Sequence, residues 1–355
     1  MLFWIAAFVI FCALVFYFLF LAIRPLVYFK GLAISRLLEK CELPTASFFP
    51  NPLLAFYRTG FVQTVAAAAM HASAPRTDRE VLTVASGSMA LDWVLPSYPD
   101  LTARAVLVIL DHGLLSRACV NAIHDLASRA RAAAFLVVLV HPPGVAGTEG
   151  LSGVGLRLSA ELNSASEKIT ERVGAHLPKV LVAFSVAAIP ALSFLPLSGF
   201  AAAAFICAPL DDLSSMFSRS NCATDFMLES GKSFLKNNGD FATRKWLDLI
   251  TPAVQASTVA SFFTEFVDKA VGKYEGAPIN EVDGLSMPTL FIYSLDDPCI
   301  DFQSIDLLRL IRNDNVAVVV TEQGGHCGFL SGLQSKRWMN EMVLEFLQGA
   351  TLPVI

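Results

Sequence analysis

The 355-residue sequence predicts an α/β fold, a mostly parallel, doubly wound sheet of about eight strands with a helical cap insertion and an N-terminal transmembrane helix. Short apolar runs alternate with helical stretches at intervals of about 25 residues, which is typical of parallel strands joined by helical crossovers. Several of these runs are apolar throughout, as strands covered on both faces must be. The alternation stops over residues 208–285, a segment longer than a single crossover requires, and this predicts the cap.

Composition narrows the class of protein. A hydrophobic content of 54% is ample for a sizeable core. The net charge is −5, and no cluster of Lys and Arg is interleaved with aromatic residues, so we expect no nucleic-acid partner. The seven cysteines are scattered without a CxxC pair, which argues against a disulfide framework or a zinc site and favours a reducing compartment.

Residues 1–23 are almost wholly apolar, and about 20 such residues span a bilayer as a helix. No basic residue precedes the segment and no small-residue cleavage site ends it, so we expect a single-pass membrane anchor and not a cleaved signal peptide. By the positive-inside rule, the remainder is expected on the cytoplasmic side of the endoplasmic reticulum or another intracellular membrane, because these basic residues follow the segment: Arg24, Lys30, Arg36 and Lys40.

Residues 24–79 mix helical patterning with prolines and predict a membrane-proximal arm that packs on the main domain, residues 80–350. In the main domain, the first two strands are expected to form an antiparallel hairpin over Ser86 and Gly87. The cap, approximately residues 208–285, is rich in aromatic residues, some of which would line an apolar pocket. The predicted strands are 81–84, 89–95, 105–110, 135–140, 179–184, 202–207, 288–294 and 316–321.

The last two predicted strands lead to an acid and a histidine. The run 288–294 is followed by Asp296 and Asp297, and the run 316–321 leads through a Gly-Gly turn to His326. Strands of this kind deliver such side chains to the carboxyl edge of the sheet. Asp297 is the favoured acid because a turn that begins with Pro298 and then an apolar residue follow it. Asp296 is the alternative, with the two roles reversed, and a remoter alternative is the pair Asp211 and Asp212.

A serine upstream completes a possible triad. Ser185 follows the apolar run 179–184 and precedes a helical stretch, so it stands at a sharp strand-to-helix turn that would lift its hydroxyl clear of the sheet. The usual pattern at such a turn is G-x-S-x-G, whereas this chain has Ala183 and Ala187 in place of the glycines. The alternative interpretation is an apolar strand that happens to end near a serine.

The chemistry of these residues is that of nucleophilic acyl transfer. His326 would take the hydroxyl proton and pass it to the leaving group, while the carboxylate holds the imidazole tautomer. The tetrahedral intermediate needs two backbone N–H donors, expected from Val186 and Leu114, with Gly113 allowing close approach. The alternative for residues 111–114 is an ordinary strand-to-helix turn.

Together these residues resemble the α/β-hydrolase-fold proteins of the YheT-like branch, whose eukaryotic members include membrane-anchored lipases and phospholipases. Beyond the triad, the resemblance covers 60–64 (GFVQT, like the family's GHxQT arm), 91–93 (LDW), 297–298 (DP) and 324–330 (GGHCGFL). The sequence departs from the family where Phe61 replaces a histidine, where the elbow glycines are alanines, and where the HxRG-type loop has become HPPG at 141–144.

The leading interpretation is a membrane-anchored serine hydrolase of the lipase or esterase type. It would cleave carboxylic (acyl) esters of lipids through an acyl-serine intermediate on Ser185. Neither a metal nor an organic cofactor is expected. One alternative is a catalytically inactive protein of the same fold that binds lipid or a protein partner, which the missing elbow glycines favour. Another is an acyltransferase that uses an alcohol in place of water with the same triad.

Overall fold

The structure is a computed structural model, and it describes most of the chain outside the predicted anchor and cap. The described residues are 3–9, 11–12, 24–41, 47–48, 50, 59–95, 103–150, 158–210, 225, 228–229, 231–232, 235, 248–267, 269 and 278–351.

Within the described residues, nine strands form one sheet: β1 Leu26–Phe29, β2 Thr77–Val84, β3 Gly87–Val94, β4 Ala105–Leu110, β5 Phe135–His141, β6 Lys179–Phe184, β7 Ala202–Ile206, β8 Thr289–Ser294 and β9 Val316–Thr321. Their order in the sheet is β1-β9-β8-β7-β6-β4-β5-β3-β2. Strands β4 to β9 pair in parallel, and antiparallel pairs join β2 to β3, β3 to β5 and β1 to β9. The predicted hairpin and the mostly parallel sheet are therefore confirmed.

The expected count of about eight strands was one too low for this sheet. The additional strand, β1, lies in the predicted arm and pairs antiparallel with β9. Its four residues read LVYF and follow an apolar segment closely, so neither length nor periodicity separates them from it. Their partial exposure is that of an edge strand.

The main helices of the described residues are α1 Leu32–Lys40, α2 Gly60–Ala69, α3 Arg117–Ala132, α4 Ser159–Val173, α5 Ala188–Phe194, α6 Val259–Phe262, α7 Ile279–Val282, α8 Leu307–Leu310 and α9 Trp338–Thr351. Seven of them pack in two groups. In one, α2 and α9 contact α3, and α1 contacts α9; in the other, α5 contacts both α4 and α7. Strands β4, β7, β8 and β9 are buried along their whole length.

Two predicted regions are only partly described. Of the proposed anchor, residues 3–9 and 11–12 are helical, and residues 13–23 lie outside the described residues. Among the described helices, none combines the length and apolar content that crossing a membrane requires. Of the proposed cap, residues 248–255 and helix α6 are helical, and Phe262 and Phe266 are buried. Much of the remaining cap lies outside the described residues.

Candidate active site

Ser185 stands where β6 ends. Strand β6 stops at Phe184, and Ser185 begins a 3-10 turn, Ser185–Ala187, that leads directly into α5. The φ angle of Ser185 is +51°, in the left-handed region that residues with a Cβ rarely adopt. Such backbone strain is typical of residues that a fold holds in place at functional sites.

The alanines beside Ser185 fit this turn. Ala183 and Ala187 are fully buried, so both methyl groups are accommodated by the packing. Ala187 has a φ of −63°, an ordinary helical value for which glycine is not required. The elbow therefore forms without the two glycines of the usual pattern.

The structure brings Ser185, His326 and Asp297 together from three separate parts of the chain. His326 Nε2 lies 2.8 Å from Ser185 Oγ. His326 Nδ1 lies 2.9 Å from Asp297 Oδ2 and 3.1 Å from Asp297 Oδ1. With Nδ1–H donating to the carboxylate, the Nε2 lone pair accepts the proton of the serine hydroxyl. All three residues are buried.

The loop after β8 orients the carboxylate of Asp297. Its Oδ1 accepts hydrogen bonds from the backbone N–H groups of Cys299 at 2.8 Å and Ile300 at 2.9 Å. These donors hold the carboxylate so that it faces the imidazole. In this position it selects the tautomer with the proton on Nδ1.

The neighbouring carboxylate has a different position. Asp296 Oδ1 accepts a hydrogen bond from the backbone N–H of Gly325 at 2.9 Å, so it holds the histidine loop and not the imidazole itself. Burial, together with the Asp297 charge, raises the pKa of Asp296 to about 6. The remoter candidates for the acid, Asp211 and Asp212, lie outside the described residues.

The electrostatics of His326 favour its charged form. Burial lowers the pKa of this imidazole, but the charge and hydrogen bond of Asp297, with a contribution from Cys299, more than offset burial. The pKa of His326 therefore lies well above its ordinary value of 6.5. Asp297 therefore stabilises the imidazolium that would form when Nε2 takes the serine proton, and only the neutral imidazole, which exists above this raised pKa, can take it.

The candidate backbone donors lie at the same edge of the sheet as Ser185. Strands β4 and β6 are parallel neighbours, with Leu110 opposite Ala183, so the loop after β4 and the turn after β6 begin side by side. Val186 is the second residue of the 3-10 turn, where an N–H has no acceptor within the helix. Leu114 is buried, and Gly113 before it has a φ of +81°.

A charged network around the buried residues Asp92 and His141 holds the loop that contains Gly113. The Gly113 N–H donates to Asp111 Oδ1 at 3.3 Å, and Asp111 Oδ2 lies 3.4 Å from His141 Nδ1. His141 Nε2 in turn lies 3.1 Å from Asp92 Oδ2. Arg79 forms two hydrogen bonds of 2.6 Å to the same Asp92 carboxylate.

The sequence did not predict the contacts of this network. His141 was visible only as part of the HPPG loop and Asp92 only as part of the LDW strand. Burial lowers the pKa of His141, but its hydrogen bond to Asp92 and its interactions with the charges of Asp111 and Asp92 raise that pKa to about 9. The imidazolium therefore bridges two carboxylates on neighbouring parts of the sheet.

The predicted arm also reaches the site. Thr64 Oγ1 accepts a hydrogen bond from the backbone N–H of His326 at 2.7 Å, and Gln63 Oε1 accepts one from the N–H of Leu330 at 3.1 Å. Both acceptors lie in the first turns of α2. The resemblance at 60–64 was the only sequence signal for these positions, and it assigned them no role.

Comparison with known proteins supports a hydrolase fold. No family model matches the chain. It is 30% identical to phospholipase ABHD3 from Bos taurus and from Homo sapiens over 77 residues, 21% of this chain and 19% of either relative. The matched part thus spans about a fifth of those relatives.

A solved structure matches much more of the chain. An esterase from Pyrococcus furiosus superposes with a TM-score of 0.53 at 14% identity, covering 77% of this chain and 91% of the esterase. A second crystal form of that esterase gives a TM-score of 0.51 at 12% identity, over 77% of this chain and 92% of the esterase. The chain has the α/β-hydrolase fold, which it shares with this esterase.

Proposed function

We propose that this α/β-hydrolase-fold protein is a serine hydrolase that cleaves carboxylic esters through an acyl-enzyme on Ser185. The observation that supports the proposal most strongly is the 2.8 Å contact between Ser185 Oγ and His326 Nε2, with Asp297 on the other ring nitrogen. Nucleophile, base and orienting acid are the three parts that acyl transfer requires. They lie beneath the carboxyl edge of the sheet, where ligands of α/β proteins bind.

The first half of the reaction forms the acyl-enzyme. Ser185 Oγ attacks the ester carbonyl carbon as its proton passes to His326 Nε2, and Asp297 stabilises the imidazolium. The N–H groups of Val186 and Leu114 are the proposed donors to the carbonyl oxygen as it becomes negative. The C–O bond to the alcohol then breaks, and His326 returns the proton to the leaving oxygen.

The second half releases the acid. Water replaces the alcohol beside His326 Nε2, loses a proton to it and attacks the acyl carbon. The ester bond to Ser185 breaks, Ser185 Oγ regains the proton, and a carboxylic acid leaves. An acyltransferase would differ only in using an alcohol at this step, so product analysis distinguishes the two.

A lipid ester is the proposed substrate class. The relatives that are 30% identical to this chain over 77 residues are named phospholipases, which supports such a substrate. Aromatic residues of the cap, such as the buried Phe262 and Phe266, are suited to contact an acyl chain. A membrane anchor over 1–23, with the hydrolase domain in the cytoplasm, would bring such a pocket close to its lipid.

A catalytically inactive lipid-binding protein is the second candidate. Its supporting observation is the burial of the site, since Ser185 is only 2% exposed and His326 only 1%. A substrate must therefore gain access to a hydroxyl that is covered. The intact elbow and triad geometry favour the enzyme.

Labelling with a fluorophosphonate probe separates the two candidates. The purified chain should be tagged on Ser185, and Ser185→Ala should abolish the tag. His326→Ala and Asp297→Asn should reduce the labelling rate by at least about 100-fold, because activation of the hydroxyl is lost. Ser193→Ala, at a half-buried serine of α5, is the matched control and should label like the wild type.

Asp296→Asn tests which carboxylate acts on the imidazole. We expect this variant to keep most of the labelling, because Asp296 contacts the backbone of Gly325 and not the ring of His326. A folded wild-type chain that takes no tag contradicts the hydrolase and supports the lipid-binding protein.

A further inference from the structure

Two buried cysteines lie beside the proposed catalytic histidine. The sulfur atoms of Cys119 and Cys327 and a ring nitrogen of His326 all lie within 4.8 Å of one another. Cys119 and Cys327 are fully buried. Cys119 lies in the first turn of α3, while Cys327 directly follows His326. The tertiary structure creates this cluster, because the cysteines are distant in sequence and form no CxxC pattern.

We propose that Cys119, Cys327 and His326 form a binding site for a zinc ion, and that zinc bound there reversibly inhibits the hydrolase. The second part of this inference rests on the proposed function. The first part depends only on the three side chains.

The donor set is one that zinc prefers. Two thiolates and one imidazole, with a fourth position open, form a common tetrahedral zinc environment. Hard cations such as Mg²⁺ and Ca²⁺ instead select oxygen ligands. With Zn–S near 2.3 Å and Zn–N near 2.0 Å, tetrahedral donors are about 3.5 Å apart. The observed upper limit of 4.8 Å therefore requires the donors to close by only about 1 Å.

The hydrogen bond from His326 to Asp297 puts the imidazole in the form that can bind a metal. Nδ1–H donates to Asp297 Oδ2 at 2.9 Å, which leaves the lone pair on Nε2. A carboxylate behind the ligating imidazole is the usual arrangement at zinc sites, because it fixes the tautomer and raises ligand basicity. Cys207, Asp297 and His326 form a second close group, but a metal bound there would compete with the hydrogen bond in which the Asp297 carboxylate already takes part.

Zinc and catalysis would use the same lone pair. Nε2 is also the atom that lies 2.8 Å from Ser185 Oγ and would accept its proton. An imidazole that ligates zinc through Nε2 cannot act as that base. Binding replaces the two thiol protons, which leave to solvent, so no oxidant or reductant takes part.

Cobalt binding to the purified full chain tests the site without reference to activity. Co²⁺ bound by two thiolates should give a sulfur-to-cobalt charge-transfer band at one equivalent, and Zn²⁺ should displace it. Cys119→Ser, Cys327→Ser and His326→Ala should each weaken binding by at least about tenfold. Cys41→Ser, at a buried cysteine in another part of the fold, is the matched control and should bind like the wild type.

Ser185→Ala separates the site from the reaction. This variant should keep the charge-transfer band, because its cysteines and histidine remain. The thermal midpoint of each variant without metal shows whether it is folded. A wild-type spectrum without thiolate charge transfer, or a band that survives in folded Cys119→Ser and Cys327→Ser, overturns the site.

Ester hydrolysis tests the inhibition. Zn²⁺ should inhibit the wild type, a chelator should restore the rate, and the inhibition constant should rise at least about tenfold in the cysteine variants, each measured against its own metal-free rate. Equal inhibition in these variants contradicts the mechanism. Cobalt binding through both cysteines in a chain without esterase activity would preserve the site and refute the inhibition together with the proposed function.

Discussion

The Thr64 hydroxyl accepts a hydrogen bond from the backbone N–H of His326 at 2.7 Å, although the residues are 262 positions apart. The same hydroxyl donates to the carbonyl of Gly60 at 2.8 Å. A segment that precedes the main domain therefore fixes the loop that presents the imidazole. The arm is part of the site's support and not only a connection to the predicted anchor.

Replacing Thr64 by valine should destabilise the loop. The substitution keeps the shape of the side chain but leaves the buried His326 N–H without its acceptor, which costs about 1–3 kcal/mol. Urea denaturation measures the loss, and the labelling rate of Ser185 should fall with it. Thr64→Ser, which keeps the hydroxyl, should recover most of both. Thr83→Val, on the exposed side of β2, should change neither, and an equally harmless Thr64→Val would contradict this role.

A methyl group at Gly60 should have no room. A Cβ built there lies 1.8 Å from the Asp296 carbonyl oxygen and 2.8 Å from Asp296 Cγ. We expect Gly60→Ala to cost about 3 kcal/mol or more, because backbone must move. Gly199→Ala is the control, since nothing lies within 4 Å of its Cβ. Thermal unfolding of the two variants should therefore differ clearly, and equal midpoints would refute the close packing of the arm on the acid loop.

Backbone strain at Ser185 should be measurable in two substitutions. Glycine tolerates the φ of +51° without a Cβ penalty, whereas alanine does not. Ser185→Gly should therefore be more stable than Ser185→Ala by about 1 kcal/mol, the reverse of the order expected in a helix. The free energy of unfolding in denaturant decides this. At Ala191, inside α5, glycine should lower stability, and the same sign at both positions would argue against a strained elbow.

Stability should depend on pH through His141. Its pKa rises on folding from 6.5 to about 9, since its bonds to Asp111 and Asp92 outweigh burial. A raised pKa means that the stabilisation is complete below pH 6.5 and is lost as the pH rises toward 9. At about 1.4 kcal/mol per pKa unit, the loss is on the order of 3 kcal/mol.

Denaturation at pH 6 and above pH 9 tests this dependence. His141→Gln cannot titrate, so the difference between wild type and variant should shrink as the pH rises. This comparison separates His141 from His326, whose raised pKa changes stability in the same direction in both proteins. A difference that does not vary with pH would mean that His141 is not charged between the two carboxylates.

Removing Asp111 should affect turnover more than binding. Asp111→Ala deletes the acceptor of the Gly113 N–H and the partner of His141, so the loop that carries the proposed Leu114 donor shifts. We expect kcat on a soluble ester to fall about 10-fold to 100-fold with little change in KM, because the donor acts on the transition state. Equal effects on kcat and KM, or on stability alone, would remove this loop from the mechanism.

Much of the sheet could be predicted because its signals are local. Strand β9, Val316–Thr321, is a run of apolar and β-branched residues, and its assignment needs nothing beyond its own sequence. Strand β1 could not be found in this way, since four residues become a strand only by pairing with β9. The predicted anchor stays a prediction, because much of it lies outside the described residues.

In the candidate site, too, local sequence predicted some features, and only the structure distinguished others. The serine, histidine and paired aspartates stand out in the sequence because each follows an apolar strand at a turn. The sequence left Asp296 and Asp297 as alternatives, since adjacent carboxylates have the same local signal. The structure directs Asp297 to the imidazole and Asp296 to the Gly325 N–H.

By itself, the sequence predicted the α/β fold with a mostly parallel sheet, the approximate positions of eight strands and the candidate residues of the site. Hydrophobic periodicity and turn chemistry are encoded over a few neighbouring residues. Only the tertiary structure decided which carboxylate faces His326, that Thr64 holds its loop, and that Cys119 lies beside Cys327. These contacts join distant segments, and their geometry is set by how the sheet and helices pack against one another.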